Sequence, residues 1–348
     1  MTGAPHRRTR GGSSTRAVTM LDVGRAAGVS AQTVSRVLSR PEAVSEATRL
    51  RVERAIADTG YMPNLAASHL ASNRSRSIAA ILPVISASVF SDTLRAAAAR
   101  LDPAGYQLTV GYTDYRAERE EDLIRGAIQR RPDGFLIVGT VHTEQTTRLL
   151  RSYGAPIVET WDWNTEPLDA LVGFSNREAM LDMVRYVVDR GHRRLTFAAS
   201  LNPGDPRAHQ RLEGFTAGVR ELLPDEPLRV VNLPGRQISM QTGVDLLDAA
   251  LERHPETTAL MFASDVFASA AVPAAQRLGL SMPDDLAITG FGDFEMARFL
   301  VPSLTTVSID VEMIGSLAAE LLLARIRGEP VDTPVIDVGY RVMPRESA

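Results

Sequence analysis

Gln32 and Arg36 are the polar residues of this chain whose spacing points most directly to a chemistry. They stand four residues apart in a segment where Val34 and Val37 supply apolar positions at helical spacing. An Arg side chain can donate to guanine O6 and N7, and a Gln side chain can pair with adenine N6 and N7. A helix that exposes both near its N-terminus therefore has the chemistry to read bases in a DNA major groove.

Arg207 and Arg211 also stand four residues apart, a spacing that places two side chains on one face of a helix. Two guanidinium groups on one face can hold a carboxylate through bidentate hydrogen bonds, which a neutral sugar would not need. The alternative is a pair of solvated surface arginines.

Motifs of the common enzyme classes are absent from the sequence. It contains no G-x-S-x-G, no G-x-x-x-x-G-K-[ST], no H-E-x-x-H and, after the first predicted strand, no G-x-G-x-x-G. The six histidines lack metal-ligand spacing, and His192 is interpreted as a helix C-terminal cap beside Gly191. There is no cysteine, which excludes disulfides and thiolate metal sites. We therefore predict no catalytic residue, no metal and no cofactor.

The residues that could contact DNA lie in a predicted helix-turn-helix over residues 19–38. Thr19 and Asp22 have the spacing of a capping pair, Gly28 suits the tight turn, and Ser30 can cap the second helix. Packing of the two helices is expected from Leu21, Ala26, Val29, Val34, Val37 and Leu38. The outward positions are then Ala31, Gln32, Ser35 and Arg36.

A third helix is predicted over Glu46–Thr59, opened by Ser45 and Thr48 and ended by Gly60. Its apolar residues are Leu50, Val52 and Ile56. Three such helices can pack together into one small domain. A generic pattern of this kind also fits an ordinary group of surface helices.

Charge is distributed unevenly along the 348 residues, whose formal net charge is only −4. Residues 1–78 hold twelve Arg against five acidic residues, whereas the remainder holds 26 Arg against 37 acidic residues. A basic head on an acidic body favours DNA contact through the head alone. Residues 1–18 have no apolar core of a signal peptide and are expected to be a disordered leader. With no membrane-length apolar run, we expect a soluble, cytoplasmic protein.

From residue 77 onward, short apolar runs alternate with helical patterns, which is typical of parallel sheets with crossover helices. The alternation runs through five strands and then restarts, so it predicts an α/β effector domain with two doubly wound lobes. Strands are predicted at 78–82, 107–112, 134–138, 157–160, 171–174, 195–199, around 230, 260–263 and 286–290. Ligands in such folds bind beyond the carboxyl ends of the strands, here in a cleft between the lobes.

Many of the residues in the three helices and in the segment after them form one recognisable pattern. They are Asp22, Val23, Ala27 to Ser30, Thr33 to Leu38, Val44, Ser45, Thr48, Arg49, Gly60, Tyr61, Pro63, Asn64, Ala67 and Leu70. Through them, residues 19–76 resemble the DNA-binding headpiece and hinge of the LacI/GalR family of bacterial repressors. The resemblance implies a hinge helix that folds on DNA and a minor-groove wedge at Leu70, as opposed to a linker leucine packed on the next domain. The implied DNA-binding residues are Thr19, Ala31, Gln32, Thr33, Ser35, Arg36, Asn64, Ala67 and Leu70.

The later half resembles the periplasmic-binding-protein-like core of the same family. The matches are Leu82-Pro83, Val89-Phe90, Gly105-Tyr106, Asp133-Gly134, Gly191 to Arg194, Arg211 to Phe215, Asp265, Ala268, Gly290-Phe291 and Pro302 to Val307. Within the family, stretches such as Pro156 to Glu159 look most like the gluconate-operon repressors, which implies a sugar acid as effector.

The family pattern also implies the division of the chain. We predict a leader at 1–18, a helix-turn-helix domain at 19–62, a hinge at 63–76 and an effector domain at 77–345. Lobe 1 would hold residues 77–174 and 305–328, and lobe 2 residues 175–304 and 329–345. By analogy the chain crosses between the lobes three times, with 335–342 in the second lobe.

The residues implied at the effector are Phe90, Glu159, Trp161, Arg207, Arg211 and Asp265. Asp265 would accept from sugar hydroxyls or else only cap a helix, and the family usually has Asn where this chain has Ser264. Phe90 and Trp161 would be apolar walls or core residues.

The sequence thus favours a homodimeric, ligand-responsive regulator that binds a double-stranded operator and is released by a small sugar or sugar-acid effector. A neutral sugar effector, and a sugar-binding module without DNA function, are the alternatives.

Overall fold

A computed structural model describes residues 18–62, 74–85 and 88–348. The chain forms two compact units that divide between residues 73 and 74. The predicted leader, and the hinge positions Asn64, Ala67 and Leu70, lie outside the described residues apart from residue 18 of the leader.

The first unit is a headpiece of three helices, as predicted. Asp22 accepts hydrogen bonds from the Thr19 backbone N–H and hydroxyl, at 2.9 and 2.6 Å, and so caps the first helix. Gly28 takes the left-handed conformation with φ 66° that the turn needs, and the Ser30 hydroxyl accepts from the Thr33 N–H at 3.1 Å. The helices are α1 (Met20–Ala27), α2 (Ala31–Ser39) and α3 (Glu46–Thr59).

The headpiece core differs in part from the predicted one. Its buried members are Val23, Ala27, Val34, Val37, Val52, Ala55 and Tyr61. Leu21 and Leu38 are 59% and 40% exposed, so the prediction that they pack the helix pair is wrong, as it is for the exposed Ala26. Leu21 stands two positions before Val23, which puts it about 200° around an α-helix and away from the core.

The first lobe of the effector unit is a six-stranded parallel sheet with helices on both faces. Its strand order is β11-β5-β4-β3-β1-β2. The strands are β1 (Ser77–Leu82), β2 (Gln107–Tyr112), β3 (Gly134–Val138), β4 (Ile157–Thr160), β5 (Ala170–Gly173) and β11 (Val335–Asp337). Alternate residues of these strands pack in opposite directions. One face packs on α4 (Ser88–Leu101) and α11 (Val311–Arg327), the other on α5 (Ala117–Gln129) and α6 (Glu144–Tyr153).

The second lobe repeats the architecture with a four-stranded parallel sheet in the order β7-β6-β8-β9. The strands are β6 (Leu195–Ala199), β7 (Arg229–Asn232), β8 (Ala259–Phe262) and β9 (Ala287–Thr289). The helices are α7 (Asn176–Asp189), α8 (Pro206–Leu222), α9 (Met240–Arg253) and α10 (Asp265–Arg277). Two doubly wound units in succession are what the alternating sequence pattern predicts.

The chain passes between the two lobes three times. It leaves the first lobe after β5, returns after β10 (Thr306–Ser308), and leaves again between β11 and β12 (Arg341–Met343), which pairs antiparallel with β10. The prediction that residues 335–342 belong to the second lobe is wrong for 335–337, because β11 pairs parallel with β5. A three-residue edge strand has too little pattern to show which sheet it completes.

Within the described ranges, no helix combines the length and the apolar character needed to span a membrane.

Candidate functional site

Helix α2 presents a polar surface beside its buried seam. Val34 and Val37 are buried, whereas Gln32, Ser35 and Arg36 are exposed. Ala31 and Thr33, at the start of the same helix, are partly buried. The exposed face therefore starts within the first turn, where the N-terminal end of the helix dipole also favours phosphate oxygens.

Thr19 lies at the start of α1 and is partly buried. Its hydroxyl donates to Asp22, so its first role is to cap that helix. Helices α1 and α2 are thus capped at Thr19 and Ser30, and the first backbone N–H groups of each helix have no acceptor within that helix.

In the effector unit, a cavity lies between the two lobes at the carboxyl ends of their strands. We call it the cleft cavity. Its volume is about 60 Å³, and it is continuous with open solvent. Its lining includes Val84, Val89, Phe90, Tyr115, Trp161, Asn176, Ser200, Asp205, Arg207, Ala208, Arg211, Ile238, Ala263, Ser264, Val266, Phe267, Phe291, Gly292 and Phe294.

Arg207 and Arg211 both reach the cleft cavity from the first turns of α8. Only 7% of the Arg207 side chain is exposed. Among the residues that the structure describes, neither Arg207 Nη1 nor Arg211 Nε has a hydrogen-bond partner, although both atoms are buried. Burial lowers the pKa of the Arg211 guanidinium, with Arg207 adding to the effect and Asp205 opposing it. A buried donor without an acceptor lowers the stability of the protein, so a ligand that supplies an acceptor to these two arginines would be bound favourably.

Aromatic rings lie against the guanidinium groups of the two arginines. The Arg207 guanidinium carbon lies 5.5 Å from the centre of the Phe90 ring, and that of Arg211 lies 4.6 Å from the Phe291 ring centre. Trp161 meets Phe90 edge to face at 5.1 Å and donates from Nε1 to the Thr93 hydroxyl at 3.2 Å. Phe90 and Trp161 therefore line the cavity and also belong to the first lobe's core.

Hydrogen-bond acceptors stand near the arginines. Asp205 caps α8 by accepting from the Ala208 N–H at 3.3 Å, and its Oδ1 lies 3.8 Å from Arg207 Nε, which is an ion pair beyond hydrogen-bond distance. Ser200 and Asn176 add smaller polar groups. Sequence reasoning missed Asp205 and Tyr115 as lining residues. The Asp-Pro pair at 205–206 is a helix-start signal that could have pointed to the first.

Glu159 does not reach the cleft cavity. Its carboxylate accepts from the Leu168 N–H at 2.7 Å and lies 3.0 Å from His142 Nε2, while His142 Nδ1 lies 2.8 Å from Glu120. The expectation that Glu159 binds effector hydroxyls is thus contradicted. Its carboxylate instead contacts His142 and the Leu168 N–H within the first lobe.

Asp265 is not among the residues that line the cleft cavity, but it lines a neighbouring pocket together with Val84 and Phe294. It is fully buried, and its two oxygens accept from the Thr306 hydroxyl at 2.6 Å and the Phe294 N–H at 2.8 Å. Burial raises the pKa of this carboxyl to about 7. Its neighbour Ser264 lines the cavity instead. In this structure the Asp265 carboxylate thus accepts two hydrogen bonds from the protein itself, and its contact with effector hydroxyls stays a prediction.

Comparison with known proteins shows which family contains both of these parts. The family model "Bacterial regulatory proteins, lacI family" matches residues 19–64, and a periplasmic binding protein-like domain matches residues 184–348. The HTH-type transcriptional regulator GntR of Escherichia coli K12 is 33% identical over 93% of this chain and 96% of its own length. The GntR regulator of Pseudomonas aeruginosa is 34% identical over 94% and 95%. This chain belongs to the LacI family.

Solved structures agree with this assignment. A LacI family regulator from Silicibacter pomeroyi superimposes with a TM-score of 0.87 at 33% identity, covering 95% of this chain and 99% of that one. A lac repressor dimer bound to operator and the anti-inducer ONPF has the same fold, with a TM-score of 0.82 at 24% identity over 95% and 99%. The LacI-family protein described here is a ligand-responsive, DNA-binding transcriptional regulator.

Proposed function

We propose that this regulator responds to a small hydroxylated carboxylate of the sugar-acid class, bound in the cleft cavity with its carboxylate on Arg207 and Arg211. The observation that carries the proposal is the pair of buried guanidinium groups with donor atoms that lack acceptors among the described residues. A ligand carboxylate supplies two acceptor oxygens and a negative charge in one planar group, which suits a guanidinium pair.

The nearby aspartates do not remove the need for an anion. Asp205 already accepts from its own helix, and Asp162 accepts from the Thr140 hydroxyl at 2.9 Å and from the Trp163 N–H at 2.8 Å. Both stand close enough to affect the Arg211 pKa, yet the donor atoms Arg207 Nη1 and Arg211 Nε remain unpaired within the described residues.

The rest of the lining suits the other end of such a ligand. Asp205, Asn176 and Ser200 offer acceptors and donors for hydroxyl groups, and the Phe90 and Trp161 rings offer apolar surface for the carbon chain. A sugar acid carries these same three features: a carboxylate, hydroxyls and C–H faces.

The test compares D-gluconate with D-glucitol, which has the same hydroxylated chain but a CH₂OH group in place of the carboxylate. Isothermal titration calorimetry should show binding of the acid and much weaker binding of the alcohol. A hydrogen bond to a charged group contributes roughly 1.5 to 3 kcal/mol, so Arg211→Gln or Arg207→Gln should weaken acid binding about ten- to a hundredfold.

Arg220→Gln is the matched control, because Arg220 is exposed near the end of the same helix and should leave binding unchanged. Equal affinity for acid and alcohol, or normal acid binding by both cavity variants, refutes the sugar-acid proposal while leaving the family assignment intact.

On the DNA side, we propose that α2 enters the major groove with Gln32 and Arg36 on base edges and with Ala31, Thr33 and Ser35 beside them. The protein would bind its operator as a dimer, as a lac repressor dimer of the same fold does. Because a two-fold symmetric dimer places its two helices on two half-sites, we expect the operator to be palindromic. Thr19 would contact the backbone, and Asn64, Ala67 and Leu70 of the predicted hinge would act in the minor groove.

Effector binding is then expected to release the operator, because a ligand that favours one cleft geometry shifts the equilibrium between DNA-binding states. A gel-shift titration of operator DNA with D-gluconate tests this. No change in DNA affinity at saturating D-gluconate contradicts release.

A further inference from the structure

Tyr115 reaches the cleft cavity from the lobe opposite the two arginines. It follows β2 of the first lobe, whereas Arg207 and Arg211 start α8 of the second. The phenol lies close enough to both guanidiniums and to Asp205 that their charges act on its pKa. Burial is the largest influence and raises the pKa of the Tyr115 phenol, so the group keeps its proton and can donate a hydrogen bond.

The backbone holds Tyr115 in a conformation that few side chains adopt. Asp114 and Tyr115 have φ values of 50° and 57°, both in the left-handed region. Three contacts maintain this loop: the Asp114 N–H donates to Pro83 O at 2.9 Å, the Tyr115 N–H donates to the Thr113 hydroxyl at 3.2 Å, and Arg119 pairs with Asp114. Two consecutive strained residues persist only where the surroundings impose them, which is common at ligand-binding sites.

The loop also touches the second lobe by its backbone. A Cβ atom on Gly204 would lie only 1.7 Å from the Tyr115 carbonyl oxygen. Gly204 stands in the segment between β6 and α8, so the two lobes meet here at a separation that only glycine permits. Beyond this contact the cleft opens into a wider mouth lined by Arg116, Arg236 and their neighbours.

We propose that Tyr115 is a specificity-determining residue of the effector site, whose phenol O–H donates a hydrogen bond to the ligand carboxylate from the first lobe. Gly204, which has no side chain, allows the two lobes to approach each other at this point. This inference rests on the proposed sugar-acid function. An anion held by guanidiniums of one lobe and a phenol of the other links the two lobes directly, so the carboxylate that identifies the ligand also favours the closed cleft.

Tyr115→Phe is the test, with Tyr112→Phe as the matched control. Tyr112 ends the same strand, is partly exposed and stacks on Arg119. Calorimetry should show about tenfold or greater weakening of D-gluconate binding by Tyr115→Phe and none by Tyr112→Phe. The weak affinity for D-glucitol should not change, because the alcohol has no carboxylate to lose. The D-gluconate concentration that releases operator DNA should rise by the same factor.

Gly204→Ala tests the clearance separately. It should weaken D-gluconate and D-glucitol alike, whereas Gly126→Ala, at a helix position where a Cβ meets only the Arg130 side chain at 3.7 Å, should weaken neither. If Tyr115→Phe binds D-gluconate as the wild type does while the Arg211→Gln variant has lost it, the role of Tyr115 is wrong and the sugar-acid proposal stands. If the wild type binds acid and alcohol equally, both fail.

Discussion

His142 gives the effector unit a predictable dependence of stability on pH. Its side chain is 3% exposed, and its two ring nitrogens lie 2.8 Å from Glu120 and 3.0 Å from Glu159. Both nitrogens can donate only when the ring is an imidazolium. Burial opposes that charge, but the two carboxylates outweigh it and raise the pKa of His142 from 6.5 to about 9.

The sign and size of the effect follow from this shift. A group whose pKa is higher in the folded state stabilises the fold fully below its unfolded pKa of 6.5, and this contribution is lost as the pH rises through 9. At about 1.4 kcal/mol per pKa unit, the free energy of unfolding should fall by roughly 2.4 kcal/mol between pH 7 and pH 9.5.

Urea denaturation, followed by the fluorescence of Trp161 and Trp163, can measure this fall. The chain contains no lysine and no cysteine, so few other side chains titrate between pH 7 and pH 9.5. The His142→Gln variant should be less stable at pH 7 and nearly independent of pH, while His254→Gln, at the end of α9, should retain the wild-type profile. A His142→Gln profile as steep as that of the wild type refutes the reasoning.

Three further variants test other parts of the structure. Arg36→Ala should weaken operator binding by about 1 to 3 kcal/mol in fluorescence anisotropy with effector binding unchanged; unaltered affinity and sequence preference would remove Arg36 from the interface. Gly214→Ala should lower the free energy of unfolding by about 1 to 3 kcal/mol, because its Cβ would lie 2.1 Å from the Arg177 carbonyl oxygen, and a melting temperature at or above wild type contradicts that close approach. Asp265→Ala should be clearly less stable than Asp265→Asn, since the amide keeps an acceptor for the Phe294 N–H; equal stabilities would show that this hydrogen bond contributes little.

Much of the fold could be predicted because its signals are local. Four strands, β2, β3, β4 and β6, begin and end at the predicted residues, since each is a short segment with several apolar residues between loop-forming residues. The caps at Thr19 and Ser30 are likewise contained within four residues of sequence.

The features that sequence reasoning missed depend on contacts between distant residues. Glu159 contacts His142, which in turn contacts Glu120, and Asp265 accepts from Thr306, forty-one residues away. Tyr115 lies in an irregular loop that is maintained by contacts with Pro83, Thr113 and Arg119, so no periodicity could place it. The arginine pair was easier to predict, because its spacing on one helix is itself a local property.

The three crossings also affect the order in which the protein can form during synthesis. The sheet and helices of the second lobe come from a nearly continuous stretch, 176–289, whereas the first lobe needs α11 and β11 from the last forty residues. Helix α4 packs on α11, where Gly315 approaches the Thr93 carbonyl so closely that a Cβ would lie 2.1 Å from it. Until the ribosome has made residue 327, the surface of α4 that packs on α11 has no partner, so the lobe whose strands are translated first cannot be completed until most of the chain has been made.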